Sequence, residues 1–211
     1  MWFQKKRVRT NVTDDHYSQT LGTEFGTIVR EFIGAGRGNS RHDFRTSVSI
    51  RMQSRDASHN WIYTLENVIE PHQPWCEDAL LFEWNASIVA ACGEHIVLLN
   101  LETGSVVWDR VWGNSVIVSM CLHDGSLYVL YDYCGFESPD GMSDDRNTST
   151  SNQVKLAFNG DVIWRASRRW DREDYTGFNI EKDRLFATTW DSFCCTIDMQ
   201  SGVITSTVFT K

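Results

Sequence analysis

The stretch LLNLETGSVVW, Leu98–Trp108, runs from an apolar segment into a polar turn with a glycine, then into a β-branched segment closed by tryptophan. It has an echo in VKLAFNGDVIW, Val154–Trp164, and a fainter one in TIDMQSGVITS, Thr196–Ser206. Counted between the anchors Gly104, Gly160 and Gly202, the second interval is 42 residues and the first 56. The longer interval contains ESPDGMSDDRNTSTSN, Glu137–Asn152, a polar stretch of loop composition. Removing about 14 of its residues restores the shorter period, and a period of roughly 20–50 residues signals a repeat architecture.

The agreement extends upstream of the glycine. SIVAACGEHIVLLNLETG, Ser87–Gly104, aligns without gaps on LFATTWDSFCCTIDMQSG, Leu185–Gly202, placing Leu99 on Ile197 and Asn100 on Asp198. The middle copy begins as SLYVLYDYC, takes the polar insert, and resumes at NQVKLAFNG. Each copy is preceded by one more short apolar run: ALLFEW, VIVSMCL and GFNIE. The runs are short, β-branched or aromatic, and bounded by Gly, Asn or Asp, which predicts strands. HIVLL is apolar at successive positions and is expected to be buried on both faces. NLETGS, FNGD and MQSGV place glycine where a hairpin loop needs a positive φ.

Four short antiparallel strands in each repeat is the pattern of a propeller blade. LLNLETGSVVW also resembles the tryptophan-docking motif of PQQ-like propeller repeats, A-x-D-x-x-T-G-x-x-x-W. Asn100 takes the Asp position, Thr103 and Gly104 the T-G pair, and Trp108 the Trp, with Leu98 in place of Ala. The second copy keeps Gly160 and Trp164 but has Leu156 for Asp and Asn159 for Thr. The third keeps Asp198 and Gly202, has Ser201 for Thr, and replaces Trp by Ser206. The resemblance covers about residues 78–211 and implies an all-β chain, a small or incomplete β-propeller of about three to four four-stranded antiparallel blades. Enzymes of this family carry a quinone and calcium in a much larger ring with a vicinal disulfide. Cys194–Cys195 are vicinal here, but they align with the core positions Ile96–Val97, and no cofactor is expected.

Residues 1–46 are read as an amino-terminal segment, a partial blade or cap, and 47–211 as the repeat domain with its insert at 137–152. GTIVREFIG suits a strand better than a short helix, and Ser47–Asn67 reads as two strands around a polar turn, the outer half of one more blade. Trp61 lies 47 residues before Trp108. The chain either closes as a four-bladed ring or forms an open stack of three sheets capped by the amino-terminal segment.

Composition sets further bounds. Hydrophobic residues make up 41% and charged residues 23% of the 211, the balance of a soluble globule. No run approaches the roughly 18 apolar residues of a membrane span. MWFQKKRVRTNVTDDHY lacks the apolar core of a secretion leader, so a cytoplasmic location is expected, with neither membrane nor nucleic acid as partner. Six scattered cysteines without C-x-x-C spacing read as free, mostly buried thiols. The net charge is −8, yet residues 1–60 carry +4, which leaves −12 on the rest. An acidic body of that kind suits a basic partner.

No phosphate loop, G-x-S-x-G elbow or H-E-x-x-H occurs. Asp14–His16 has no further ligand at suitable spacing, and Asp140–Asp145 lacks the ligand alternation of a calcium loop, so no metal is expected. His95 and His123, each beside an acidic residue, read as exposed turn positions. Arg37, Arg41 and Arg45 read as a basic loop. Trp108 and Trp164 fit the docking position; Trp75, Trp84, Trp170 and Trp190 are less constrained, and an exposed cluster among them would be a binding hot spot. ASRRWDREDY, Ala166–Tyr175, combines Trp, Arg, Asp and Tyr in a connector between repeats. The expected partner-binding residues are Arg168, Arg169, Trp170, Asp171 and Tyr175, with Asp144 and Asp145 of the insert. The expected function is a non-catalytic protein-binding module, with an inhibitor or immunity-type protein as its narrower form. The alternative is a propeller hydrolase or a carbohydrate- or small-ligand-binding protein, its site at a channel mouth built from Asp124, Asp132, Asp183 and Asp191. A third reading is a subunit whose exposed blade edge pairs with another chain.

Overall fold

The computed structural model describes residues 9–13, 16–33, 45–56, 58, 60–69, 80–112, 115–133, 151–170 and 174–210. Among them are seventeen strands in four antiparallel sheets, and within each sheet spatial order equals chain order. The first sheet is β1 (Arg9–Thr13), β2 (His16–Gly22), β3 (Gly26–Ile33), β4 (Arg45–Ser54) and β5 (Trp61–Ile69). The second is β6 (Leu81–Trp84), β7 (Ser87–Cys92), β8 (His95–Asn100) and β9 (Val106–Val111). The third is β10 (Ser115–His123), β11 (Ser126–Tyr133), β12 (Gln153–Leu156) and β13 (Val162–Arg165). The fourth is β14 (Tyr175–Glu181), β15 (Arg184–Thr189), β16 (Phe193–Ile197) and β17 (Ile204–Phe209).

The three sequence repeats are thus three whole four-stranded meanders, and the polar insert falls between β11 and β12. The amino-terminal region differs from a half blade: β4 and β5 pair as expected, but β1–β3 extend them into one five-stranded sheet. GTIVREFIG supplies β3, a strand, and the boundary drawn between residues 46 and 47 falls inside β4.

Turn chemistry explains the meander. The central pairs Asp124–Gly125 and Lys182–Asp183 both have positive φ, the geometry of a two-residue hairpin turn matched to strand twist. The repeated glycines Gly104, Gly160 and Gly202 have φ of 70°, 84° and 75°. In two copies the wider turn is wired identically. Asn100 Oδ1 accepts from Glu102 N, Thr103 N and Thr103 Oγ1, and Asp198 Oδ1 accepts from Gln200 N, Ser201 N and Ser201 Oγ. Gly104 N and Gly202 N each donate to the backbone carbonyl of the same Asx residue. The Ser201 hydroxyl and N–H hold the Asp198 carboxyl below the usual carboxylate range.

The chain divides into two compact units, Met1–Ile117 and Val118–Lys211, with the division inside β10. In the first unit Ile28, Val48, Ile50, Leu81, Ile88, Val97 and Leu99 form the core, and Trp61, Tyr63 and Leu65 pack against it. Ile96, Val97, Leu98 and Leu99 are all fully buried, so β8 is covered on both faces as HIVLL implies. In the second unit Tyr128, Leu130, Trp164, Ala166, Tyr175, Leu185, Ala187, Cys195 and Ile197 pack together.

A tryptophan seats on the glycine turn inside each unit. Trp61, at the start of β5, donates Nε1–H to Leu101 O at 3.0 Å, and a Cβ on Gly104 would lie 2.5 Å from its ring. Trp164, on β13, donates to Met199 O at 3.1 Å, and a Cβ on Gly202 would lie 2.9 Å from its ring. The seat requires glycine twice over, for backbone sign and for the closeness of the indole. Gly125 has a similar φ of 68° with nothing within 4 Å of an added Cβ. Gly125→Ala is therefore expected to cost about 1 kcal/mol, whereas Gly104→Ala adds the displacement of Trp61 and costs about 3 kcal/mol. Urea unfolding of the two variants checks the difference.

Candidate functional site

The fourth sheet has two ends of different character. One carries the β14–β15 turn at Lys182–Asp183 and the Gly202 turn. The other carries the β15–β16 turn at Trp190–Ser192, the end of β17 and the connector 166–174 that leads into Tyr175. Thr210 N donates to Ser192 O at 2.7 Å and closes this second end.

Of the connector residues singled out in the sequence, Arg168, Arg169, Trp170 and Tyr175 meet there. Arg168 pairs with Asp174, and Arg169 pairs with Asp191 across the hairpin turn. The Arg169 guanidinium also lies over the Phe193 ring, 3.3 Å from its centroid, and 5.5 Å from that of Trp170. Tyr175 is buried, and its hydroxyl donates to Ser167 O at 2.6 Å, so it supports the connector from beneath. Trp170 and Trp190 are 64% and 82% exposed. An indole is costly to leave in water, and two of them beside ordered Arg–Asp pairs have the composition of an interaction hot spot. Phe209 of β17 extends the exposed apolar surface, packed edge-on against Phe193 at 5.1 Å.

Trp190, Asp191 and Phe193 join this surface through the β15–β16 hairpin and Phe209 through the closing strand β17, so the connector sequence gives no sign of them. Trp84, grouped in the sequence reading with the less constrained tryptophans, is buried in β6. Trp75, Asp14, Asp15, Arg37, Arg41, Asp140, Asp144, Asp145 and Asp171 lie outside the described residues.

A buried polar clamp fixes the roots of the insert to the connector end. Asn152 Nδ2 donates to Tyr131 O and Tyr175 O, at 2.9 and 2.8 Å, and its Oδ1 accepts from Tyr175 N at 2.9 Å. Tyr131 Oη donates to Ser151 O and accepts from Arg165 Nη1. Beside it the Gln153 carboxamide is fully buried with no hydrogen-bond partner among the described residues.

The opposite end offers a polar cavity of about 380 Å³, lined by Asp183, Arg184, Thr196, Asp198, Thr205 and Ser206 among others. Its carboxylates are engaged: Asp183 meets His123 Nε2 at 3.1 Å, and Asp198 caps its own turn. Asp191 stands at the far end of β15 from Asp183, so these two do not converge on one site. His95 is half-buried and pairs with Asp109 across the sheet rather than with its sequence neighbour. The described cysteines, Cys92, Cys121, Cys194 and Cys195, are free thiols. Burial pushes the Cys92 thiol up to about 11, which makes it inert. Among the described residues no group of three or more His, Cys, Asp or Glu side chains is placed to hold a metal, and no helix is long and apolar enough to cross a membrane.

No protein-family model matches the chain, and no curated relative is found at a significant level of sequence similarity. Solved structures do resemble it. A europium-containing methanol dehydrogenase matches at TM-score 0.56 and 9% identity, over 98% of this chain and 44% of its own. The computationally designed Ika8 protein matches at TM-score 0.45 and 11% identity, over 94% of this chain and 60% of its own. BamB from Moraxella catarrhalis matches at TM-score 0.38 and 16% identity, over 100% and 79%. The chain thus spans less than half of the dehydrogenase, and that likeness shows the fold alone: an all-β chain of blade-like sheets, the small β-propeller class.

The clamp and its neighbour make opposite predictions. Asn152→Ala removes three buried side-chain hydrogen bonds to the backbone and should lower stability by about 2–3 kcal/mol. Gln153→Met removes an unpaired buried amide and should leave stability unchanged or raise it by about 1 kcal/mol. Denaturant titration of both variants gives the comparison.

Proposed function

We propose that this chain is a small propeller of degenerate PQQ-like repeats that works as a non-catalytic, cytoplasmic protein-binding module. Its contact surface is the connector end of the fourth sheet, where Trp170 and Trp190 anchor a partner and Arg168, Arg169 and Asp191 order the rim. The exposure of two indoles beside fixed Arg–Asp pairs carries this reading. A net charge of −8 favours a basic partner and fast, salt-sensitive association. Neutralising such a partner would be the work of an inhibitor or immunity-type protein.

The test is affinity capture from host extract at low ionic strength, with the wild-type chain and a Trp170→Ala/Trp190→Ala variant in parallel. The expected result is one stoichiometric basic protein on the wild type and at least a tenfold lower yield on the variant. Equal yields, or an empty wild-type capture, would remove the proposal. Both side chains are exposed, so the variant should keep the wild-type thermal midpoint.

A further inference from the structure

Arg169 fills a seat whose walls are fixed by other residues. Thr189 Oγ1 donates to Asp191 Oδ1 at 2.5 Å, orienting the carboxylate whose Oδ2 receives the Arg169 guanidinium. Phe209 holds the Phe193 ring edge-on, presenting its face to the same guanidinium. Acceptor and π-face are therefore in place independently of the cation. The Arg169 side chain is only 14% exposed while Asp191 is 51% exposed, so the seat is sheltered on the ring side and open on the carboxylate side. The connector does not depend on Arg169 alone for its course, because Arg168 is held separately by Asp174.

We propose that this seat is a guanidinium-binding site, occupied by Arg169 in the free protein, and that an arginine of the basic partner takes the place of Arg169 on binding. A flat guanidinium stacks on a ring face while its edge donates to a carboxylate; an ammonium ion does not satisfy both at once. Displaced Arg169 would carry its neighbour Trp170 with it, coupling occupation of the seat to the placement of the exposed anchor. The idea rests on the protein-binding reading for the identity of its occupant, but the chemistry of the seat stands apart from it.

The probe is acetyl-Gly-Arg-Gly-amide, titrated into the full chain at constant ionic strength and followed by tryptophan fluorescence, with the lysine peptide as comparison. Arg169→Ala should bind the arginine peptide about tenfold more tightly than wild type, and the lysine peptide should gain far less. Arg184→Ala removes the same charge from the opposite end of the sheet and should match wild type. Asp191→Asn added to Arg169→Ala should abolish the gain. Arg169→Gln, which keeps more of the side-chain packing, serves if the alanine variant does not fold. Equal gains for Arg169→Ala and Arg184→Ala, equal gains for the two peptides, or no gain at all would overturn the proposal. A seat that takes the peptide while extract capture stays empty keeps the guanidinium site and removes the protein-binding reading. Intact capture without a gain in Arg169→Ala removes the seat alone.

Discussion

The structure depends on an indole laid across a glycine turn. In each unit the last strand of one sheet sends a tryptophan onto the turn that precedes the last strand of the next sheet. The indole N–H satisfies a turn carbonyl that the strand ladder leaves unpaired. In the second unit Lys155 Nζ donates to the same Met199 O at 2.9 Å, and Lys155 and Trp164 both pack against Tyr128. Burial raises the Tyr128 phenol to about 12, so the ring stays neutral and offers its face to the lysine. Asx, hydroxyl and glycine at fixed offsets shape the turn, and the glycine keeps clear the surface that the ring covers.

The same constraint separates docked from exposed tryptophans at the two ends of the fourth sheet. Its glycine-turn end receives Trp164 and is committed to holding sheets together. Its connector end receives no such indole and instead exposes Trp170 and Trp190 beside ordered ion pairs. At the two ends of this sheet the tryptophans differ accordingly: the Trp164 N–H is spent on a turn carbonyl, whereas the rings of Trp170 and Trp190 face solvent. The exposed pair is the ground for the binding role proposed for the connector end of the sheet.

Most of the fold was legible because blades are built from local signals. Two of the glycine turns need an Asx acceptor, a hydroxyl and a positive φ within five residues, and those requirements appear directly as NLETG and DMQSG, while the tighter FNGD turn keeps the Asx and the glycine without the hydroxyl. The target of each tryptophan was not legible. The phrase places Trp108 four residues after Gly104, yet the indole on Gly104 is Trp61, and its hydrogen bond spans 40 residues. The five-stranded amino-terminal sheet was also hidden, since β1–β3 carry no copy of the turn phrase. In the candidate site, Arg168, Arg169 and Trp170 were readable from the connector's composition. Asp191, Phe193 and Phe209 were not, because a hairpin and the closing strand bring them in. Trp84 misled because a strand of four residues is too short for its alternation to reveal which face is buried.

Hydrogen exchange of the indole N–H groups, resolved by NMR, tests the division between docked and exposed tryptophans in one experiment. Trp61 and Trp164 should exchange only through large-scale unfolding, while Trp170 and Trp190 should exchange at rates close to those of a free indole. Protection of Trp170 and Trp190 equal to that of Trp164, or free exchange at Trp61 and Trp164, would contradict that division.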